Sequence, residues 1–123
     1  TTEIYTLSLH DALPISEELH QPFDRIISGY TFHEFTDEQK LVILKRLAED
    51  YLASGGSIHI ADISFETSTA FEAGHRHFAN GWDEEEYYWC AEDMLPRMVD
   101  LGLDVHYVQT SECAGIYSLQ RCS

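Results

Sequence analysis

Basic side chains are scarce in this chain. Seven lysines and arginines stand against 22 aspartates and glutamates, for a formal net charge of -15 over 123 residues. Nucleic acid and anionic membranes both need a positive face, so neither is expected as a partner. Cysteine is also sparse. Cys90, Cys113 and Cys122 are odd in number and irregular in spacing, which fits neither a disulfide framework nor a zinc site. Free thiols in a reducing cytoplasm are the expectation. No apolar run is long enough to span a bilayer, and the first residues lack the basic start and apolar stretch of a signal peptide. No two of the seven glycines stand in a G-x-G spacing, so the chain carries no Gly-rich phosphate or dinucleotide loop.

What is present is enough for one small domain. Thr1 to Ser16 (TTEIYTLSLHDALPIS) shows no helical or strand period and is interrupted by Pro14. Back-translated, the segment resembles a widely used sequencing adapter. Residues 1–16 are therefore read as a non-native, disordered leader, and the domain as residues 17–123.

From Pro22 onward the chain is well punctuated. Phe23 to Gly29 (FDRIISG) has a β-branched centre and a glycine end, and reads as a buried strand. Thr36-Asp37-Glu38-Gln39 is a capping box. The helix it opens carries Leu41, Leu44, Ala48 and Tyr51 on one stripe, and Ser54-Gly55-Gly56 should end it. Ser57 to Ile63 (SIHIADI) reads as the next strand, completing a βαβ unit with parallel strands. Phe65 to Asn80 reads as a helix or lid. Asp83 to Glu86 places acid where a first helical turn favours it. A further helix runs through Met94, Leu95, Met98 and Val99 to Gly102, with Pro96 either in its first turn or marking a break before it. Asp104 to Gln109 and Ala114 to Arg121 read as strands joined in an antiparallel hairpin.

Read in order, FDRIISGYTFHEFTDEQK and LASGGSIHIADISFE resemble the fourth strand, following helix and fifth strand of class I S-adenosylmethionine-dependent methyltransferases. The resemblance rests on Asp24, Ser28, Phe32-His33, Asp37-Glu38, Gly55-Gly56 and Asp62, and on the closing hairpin. It is strongest to small bacterial methyltransferases with a STYAFHHLTDEEK-like stretch. Glu34 stands where that pattern has a second histidine.

The implied fold is α/β: a truncated Rossmann-like sheet of three parallel strands plus an antiparallel last strand, with helices packed on it. The implied spatial order is residues 23–29, 57–63, 114–121, 104–109. The implied activity is transfer of a methyl group from S-adenosylmethionine to a small molecule. The family's Gly-rich loop and the acid ending its second strand have no counterpart in this sequence. This chain alone is therefore expected to bind the cofactor weakly or not at all, and to be inactive.

In doubly wound sheets ligands lie beyond the carboxyl ends of the strands. By the resemblance, that puts Ser28, Gly29 and Tyr30 at the cofactor and makes His33 the catalytic candidate, as a base or as a structural tie for its loop. Asp62 either faces substrate or caps the next segment. Tyr87 and Tyr88, followed by Trp89, either line a substrate pocket or fill the core. His75 and His77, with Glu72, would share a strand face and are weighed against a solvated surface; no metal site is assigned. Cys90 reads as a buried thiol. A different class remains open: a non-catalytic half-domain that self-associates through the unpaired edge of the 23–29 strand.

Overall fold

The computed structural model describes residues 4–7 and 22–122. The strands β1 (Ile4–Leu7), β2 (Phe23–Gly29), β3 (Leu52–Phe65), β5 (Leu103–Ser111) and β6 (Ala114–Arg121) lie in the order β1-β2-β3-β6-β5. A two-residue strand, β4 (Trp89–Cys90), pairs with the end of β3. β1, β2 and β3 are mutually parallel, and β6 runs antiparallel between β3 and β5. From β2 onward this is the order implied by the sequence. The exception is β1. Ile4–Leu7 belongs to the segment expected to lie outside the fold, yet it pairs with Arg25 to Ser28. The β2 edge expected to be free is therefore covered. An open strand edge recruits whatever extended backbone can reach it, and Ile-Tyr-Thr-Leu has strong strand propensity.

Among the described residues three α-helices flank the sheet: α1 (Asp37–Arg46), α2 (Ser68–His77) and α3 (Ala91–Asp100). The capping box forms as the sequence implies, with Thr36 Oγ1 accepting from the Gln39 amide at 3.2 Å and Gln39 Oε1 from the Thr36 amide at 2.9 Å. Gly55 and Gly56 do not end this helix. A π-helical turn, Leu47–Tyr51, does so, and Leu52 is already extended. Between the pairs Phe23–Leu52 and Arg25–Ser57 the ladder bulges, and Gly55 supplies the positive φ of 77° that the bulge needs. Asp83 to Glu86 does not open a helix either. The Asp83 carboxylate accepts from the Glu85 amide at 2.9 Å, a local turn that competes with helix formation. α3 instead begins at Ala91, so Pro96 lies inside it, just past the first turn. The carbonyl that Pro96 leaves without a donor is that of Glu92, an exposed residue, where water can take the place of the lost bond.

α1 and α3 cover one face of the sheet. Ile43, Leu44 and Leu47 from the first helical stretch and Met94 and Met98 from α3 pack on Ile26, Ile58, Ile60, Tyr117 and Leu119. Each fully buried aliphatic side chain contributes about 2 kcal/mol. Among the described residues no helix is long and apolar enough to cross a membrane.

Candidate functional site

The site grows from the carboxyl ends of β2 and β3. Ile26, Ser28 and then Phe32 follow the buried side of the chain out of β2. Tyr30 turns the chain there with φ 54°, the left-handed region a tyrosine rarely enters, and its amide donates to the Ala61 carbonyl at 2.8 Å. A single 3₁₀ turn, Phe32–Glu34, follows. Phe32 is buried, with its ring against Trp89 and Phe35, and this anchors the turn. His33 is thereby aimed back across the top of β3.

His33 Nδ1 lies 2.7 Å from Asp62 Oδ1. Asp62 is on the inward face of β3, after Ile58 and Ile60, and is fully buried. Its carboxylate also accepts from Trp89 Nε1 at 2.9 Å and from the Ile63 amide at 2.9 Å. A carboxylate so placed accepts only, which makes Nδ1 the protonated nitrogen of His33 and leaves Nε2 facing outward. Nε2 is 2.7 Å from Glu86 Oε2 and 3.6 Å from Glu34 Oε1. Glu86 Oε2 is buried and has no well-formed hydrogen bond. Burial raises the Glu86 carboxyl above its ordinary range, Asp83 adds to the rise, and His33 opposes it. His33, Glu34 and Glu86 form a donor set with metal-compatible spacing among the described residues.

The loop bearing Glu86 is fixed from two sides. The Tyr87 amide donates to the His33 carbonyl at 2.7 Å. Lys40, fully buried, donates to the Tyr87 carbonyl and to Asp37 Oδ1, and lies 4.8 Å from the centre of the Trp89 ring. Loss of water lowers the Lys40 pKa, with Asp37 pulling the other way.

The structure thus brings together Ser28, Gly29, Tyr30, His33 and Asp62. Ser28 Oγ is buried without a partner, and a side chain added at Gly29 would meet open space. Tyr30 is 57 % exposed. Asp62 reaches the site through His33. Tyr88 is buried beside it, its ring 6.2 Å from that of His33, while Tyr87 is 46 % exposed. Trp89 is core. His75 and His77 do not converge: they sit on a helix, where residues two apart point about 200° apart. His75 instead pairs with Glu84 at 2.6 Å. Cys90 is half-buried, and burial raises its thiol pKa. Glu86 and Lys40 were not singled out from sequence. Lys40 had a signal, a cation one turn before Leu44 on the inward face of α1.

Two clefts adjoin this cluster. The larger, about 480 Å³, is bordered by Asp37, Phe71, Glu72, Tyr88, Glu92 and Asp93. The smaller, about 270 Å³, shares Asp37, Phe71 and Tyr88 and adds Trp82, Glu84 and Glu86.

No family profile matches the chain. Curated relatives do. An uncharacterised methyltransferase of Geobacillus thermodenitrificans is 32% identical over 96 residues, which are 72% of this chain and 44% of that protein. One of Staphylococcus carnosus is 27% identical over 108 residues, or 82% of this chain and 52% of the relative. The chain thus spans about half the length of the curated relatives it matches. Among solved structures, an O-methyltransferase family protein from Burkholderia thailandensis superposes with a TM-score of 0.64 at 14% identity, over 95% of this chain and 34% of the other. The complex of DhpI with SAH gives 0.61 at 10% identity, over 83% and 48%.

The chain is thus similar to curated proteins named as methyltransferases and shares the fold of solved S-adenosylmethionine-dependent methyltransferases. In the methyltransferase sheet, the ends of β2 and β3 are where ligands gather. At those ends Ser28 Oγ is a buried hydroxyl with no hydrogen-bond partner, and Gly29 has open space beside it.

Proposed function

We propose that this chain supplies the acceptor side of a methyltransferase site that modifies a small molecule. The observation that carries the reading is the Asp62–His33 pair, 2.7 Å apart at the carboxyl ends of two adjacent parallel strands. Ser28, Gly29 and Tyr30 are assigned to the cofactor wall. When bound there, S-adenosylmethionine would supply a methyl group activated for transfer by its sulfonium sulfur.

The chain's own residues then have three tasks. Asp62 holds the proton on His33 Nδ1 and fixes the ring. His33 Nε2 takes the proton that the acceptor gives up, as a general base. Glu86, in contact with that nitrogen, moves aside for the acceptor. Tyr88 and Tyr87 border the acceptor's approach. Most of the acceleration in such a reaction comes from alignment, so the rigid fixing of the 83–88 loop by Lys40 and the His33 carbonyl matters more than any single proton transfer.

The 123-residue chain contains no Gly-rich loop, so its own affinity for the cofactor is expected to be low. Chemical-shift mapping with S-adenosylhomocysteine tests the assignment. Weak, saturable shifts at Ser28 to Thr31 are expected, and Gly29→Leu should remove them without unfolding a site that has open space for a side chain. Tight stoichiometric binding, or shifts confined to other regions, would overturn the assignment.

A further inference from the structure

The two clefts near His33 adjoin each other, with Asp37, Phe71 and Tyr88 bordering both. Neither is bordered by a lysine or an arginine; the smaller has His75, which pairs with Glu84 at 2.6 Å and lies 4.5 Å from the Trp82 ring. The larger presents Glu72, Glu92 and Asp93 around the Phe71 and Tyr88 rings. Asp93 has Arg97 at 3.6 Å, but no basic partner lies within ion-pair distance of Glu72 or Glu92 among the described residues. In the smaller cleft Trp82 forms an aromatic wall, its ring 4.7 Å from that of Tyr88 and 5.3 Å from that of Phe71. This cleft ends at Glu86, whose Oε2 touches His33 Nε2.

Aromatic faces and carboxylates attract the same kind of group. A cation over a ring is stabilised by the ring quadrupole, and uncompensated carboxylates add a Coulomb attraction that a neutral ligand does not feel. The net charge of -15 extends that attraction outward and repels anions. The aromatic walls also favour a ligand with an apolar body.

We propose that the clefts bind a cationic amine carrying an aromatic or aliphatic body, and that such amines are the acceptor class of this site. The acceptor assignment rests on the methyltransferase reading above. The binding does not, so the two fail separately. The ammonium group lies at Glu86, where His33 Nε2 takes its proton and so frees the nitrogen lone pair for the methyl carbon. Glu72, Glu92 and Asp93 attract it from the adjoining cleft, and the body lies against Phe71, Trp82 and Tyr88.

Tryptophan fluorescence provides the test, on the full chain and without cofactor. Of the two tryptophans, Trp89 is fully buried and Trp82 borders the smaller cleft, so a ligand-induced change reports on Trp82. Phenethylamine should give a saturable change. Phenethyl alcohol and hydrocinnamate, which keep the ring but lose or invert the charge, should bind at least about tenfold more weakly. Glu72→Gln and Asp93→Asn, at exposed positions, should each weaken phenethylamine by about threefold, and added salt should weaken it further. Equal binding of amine and carboxylate, no saturable response to the amine, or indifference to both substitutions would overturn the proposal. Any of these results would leave the mapping of the cofactor onto Ser28 to Thr31 untouched.

Discussion

Along the inward face of β3 the chain changes character half-way. Ile58 and Ile60 come first, then Asp62 and Ser64, and all four are buried to 1 % exposure or less. The first pair meets Ile26, Leu119 and the helices, and any apolar side chain of the right volume would satisfy those neighbours. The second pair meets named atoms: Trp89 Nε1, His33 Nδ1, the Ile63 amide and the Tyr117 hydroxyl. One strand thus holds a region defined by volume and a region defined by partners. Burial alone does not tell them apart. The number of donors and acceptors that would be orphaned does.

The sharpest way to separate the two is at Asp62. Asp62→Ala leaves three donors around an empty space, one of them on the fully buried Trp89, and should cost about 4 kcal/mol. Asp62→Asn keeps the shape and one acceptor but turns an amide NH₂ toward donors, so its cost should fall between alanine and the native residue. Ile60→Ala, on the same face, should cost about 3 kcal/mol through the cavity it leaves. Urea unfolding midpoints measure all three. The comparison breaks if Asp62→Ala proves cheaper than Ile60→Ala, because the carboxylate would then be a passenger in an apolar core. His33 provides a second readout: its Nδ1–H should be resolved and slow to exchange by proton NMR in the Ile60→Ala chain and lost in the Asp62→Ala chain.

The apolar half was legible in the sequence and the polar half only partly so. SIHIADI read as a strand of a parallel βαβ unit, and Ile58 and Ile60 at alternate positions share the face that the structure turns inward. The order of the last four long strands followed from the resemblance. Asp62 and His33 were both candidates, but no local pattern links residues 29 positions apart, and their pairing depends on where two strands end. Glu86 was harder still. Its run of acids matches a helix start, and only the Asp83 turn and the ties to Lys40 and His33 place it at Nε2. β1 was misjudged because composition says where a segment prefers to be extended, whereas an open sheet edge decides whether it pairs.

The smallest effect tests the seam between the halves. Tyr117 pairs with Ile60 across the β3–β6 ladder, yet its hydroxyl lies 2.8 Å from Ser64 Oγ, so one side chain belongs to both regions. Burial raises its pKa far above that of a free phenol, with the Ser64 hydrogen bond opposing. In the unfolded chain the phenol titrates near pH 10, roughly its ordinary value. The folded chain keeps the proton well beyond that. The unfolded state alone loses protons in this window, so stability is intact below about pH 10 and falls as pH rises, by up to about 1.4 kcal/mol per pH unit for this group. Tyr117→Phe should cost about 1 kcal/mol at neutral pH, because Ser64 Oγ keeps the Tyr107 hydroxyl at 3.0 Å. It should also flatten the alkaline fall without abolishing it, since burial raises Tyr107 and Tyr88 in the same direction. Urea midpoints of both chains between about pH 8 and pH 11 decide the matter. Parallel slopes would mean that the Tyr117 hydroxyl reaches water, and that the polar half of the strand begins one residue pair earlier than its packing indicates.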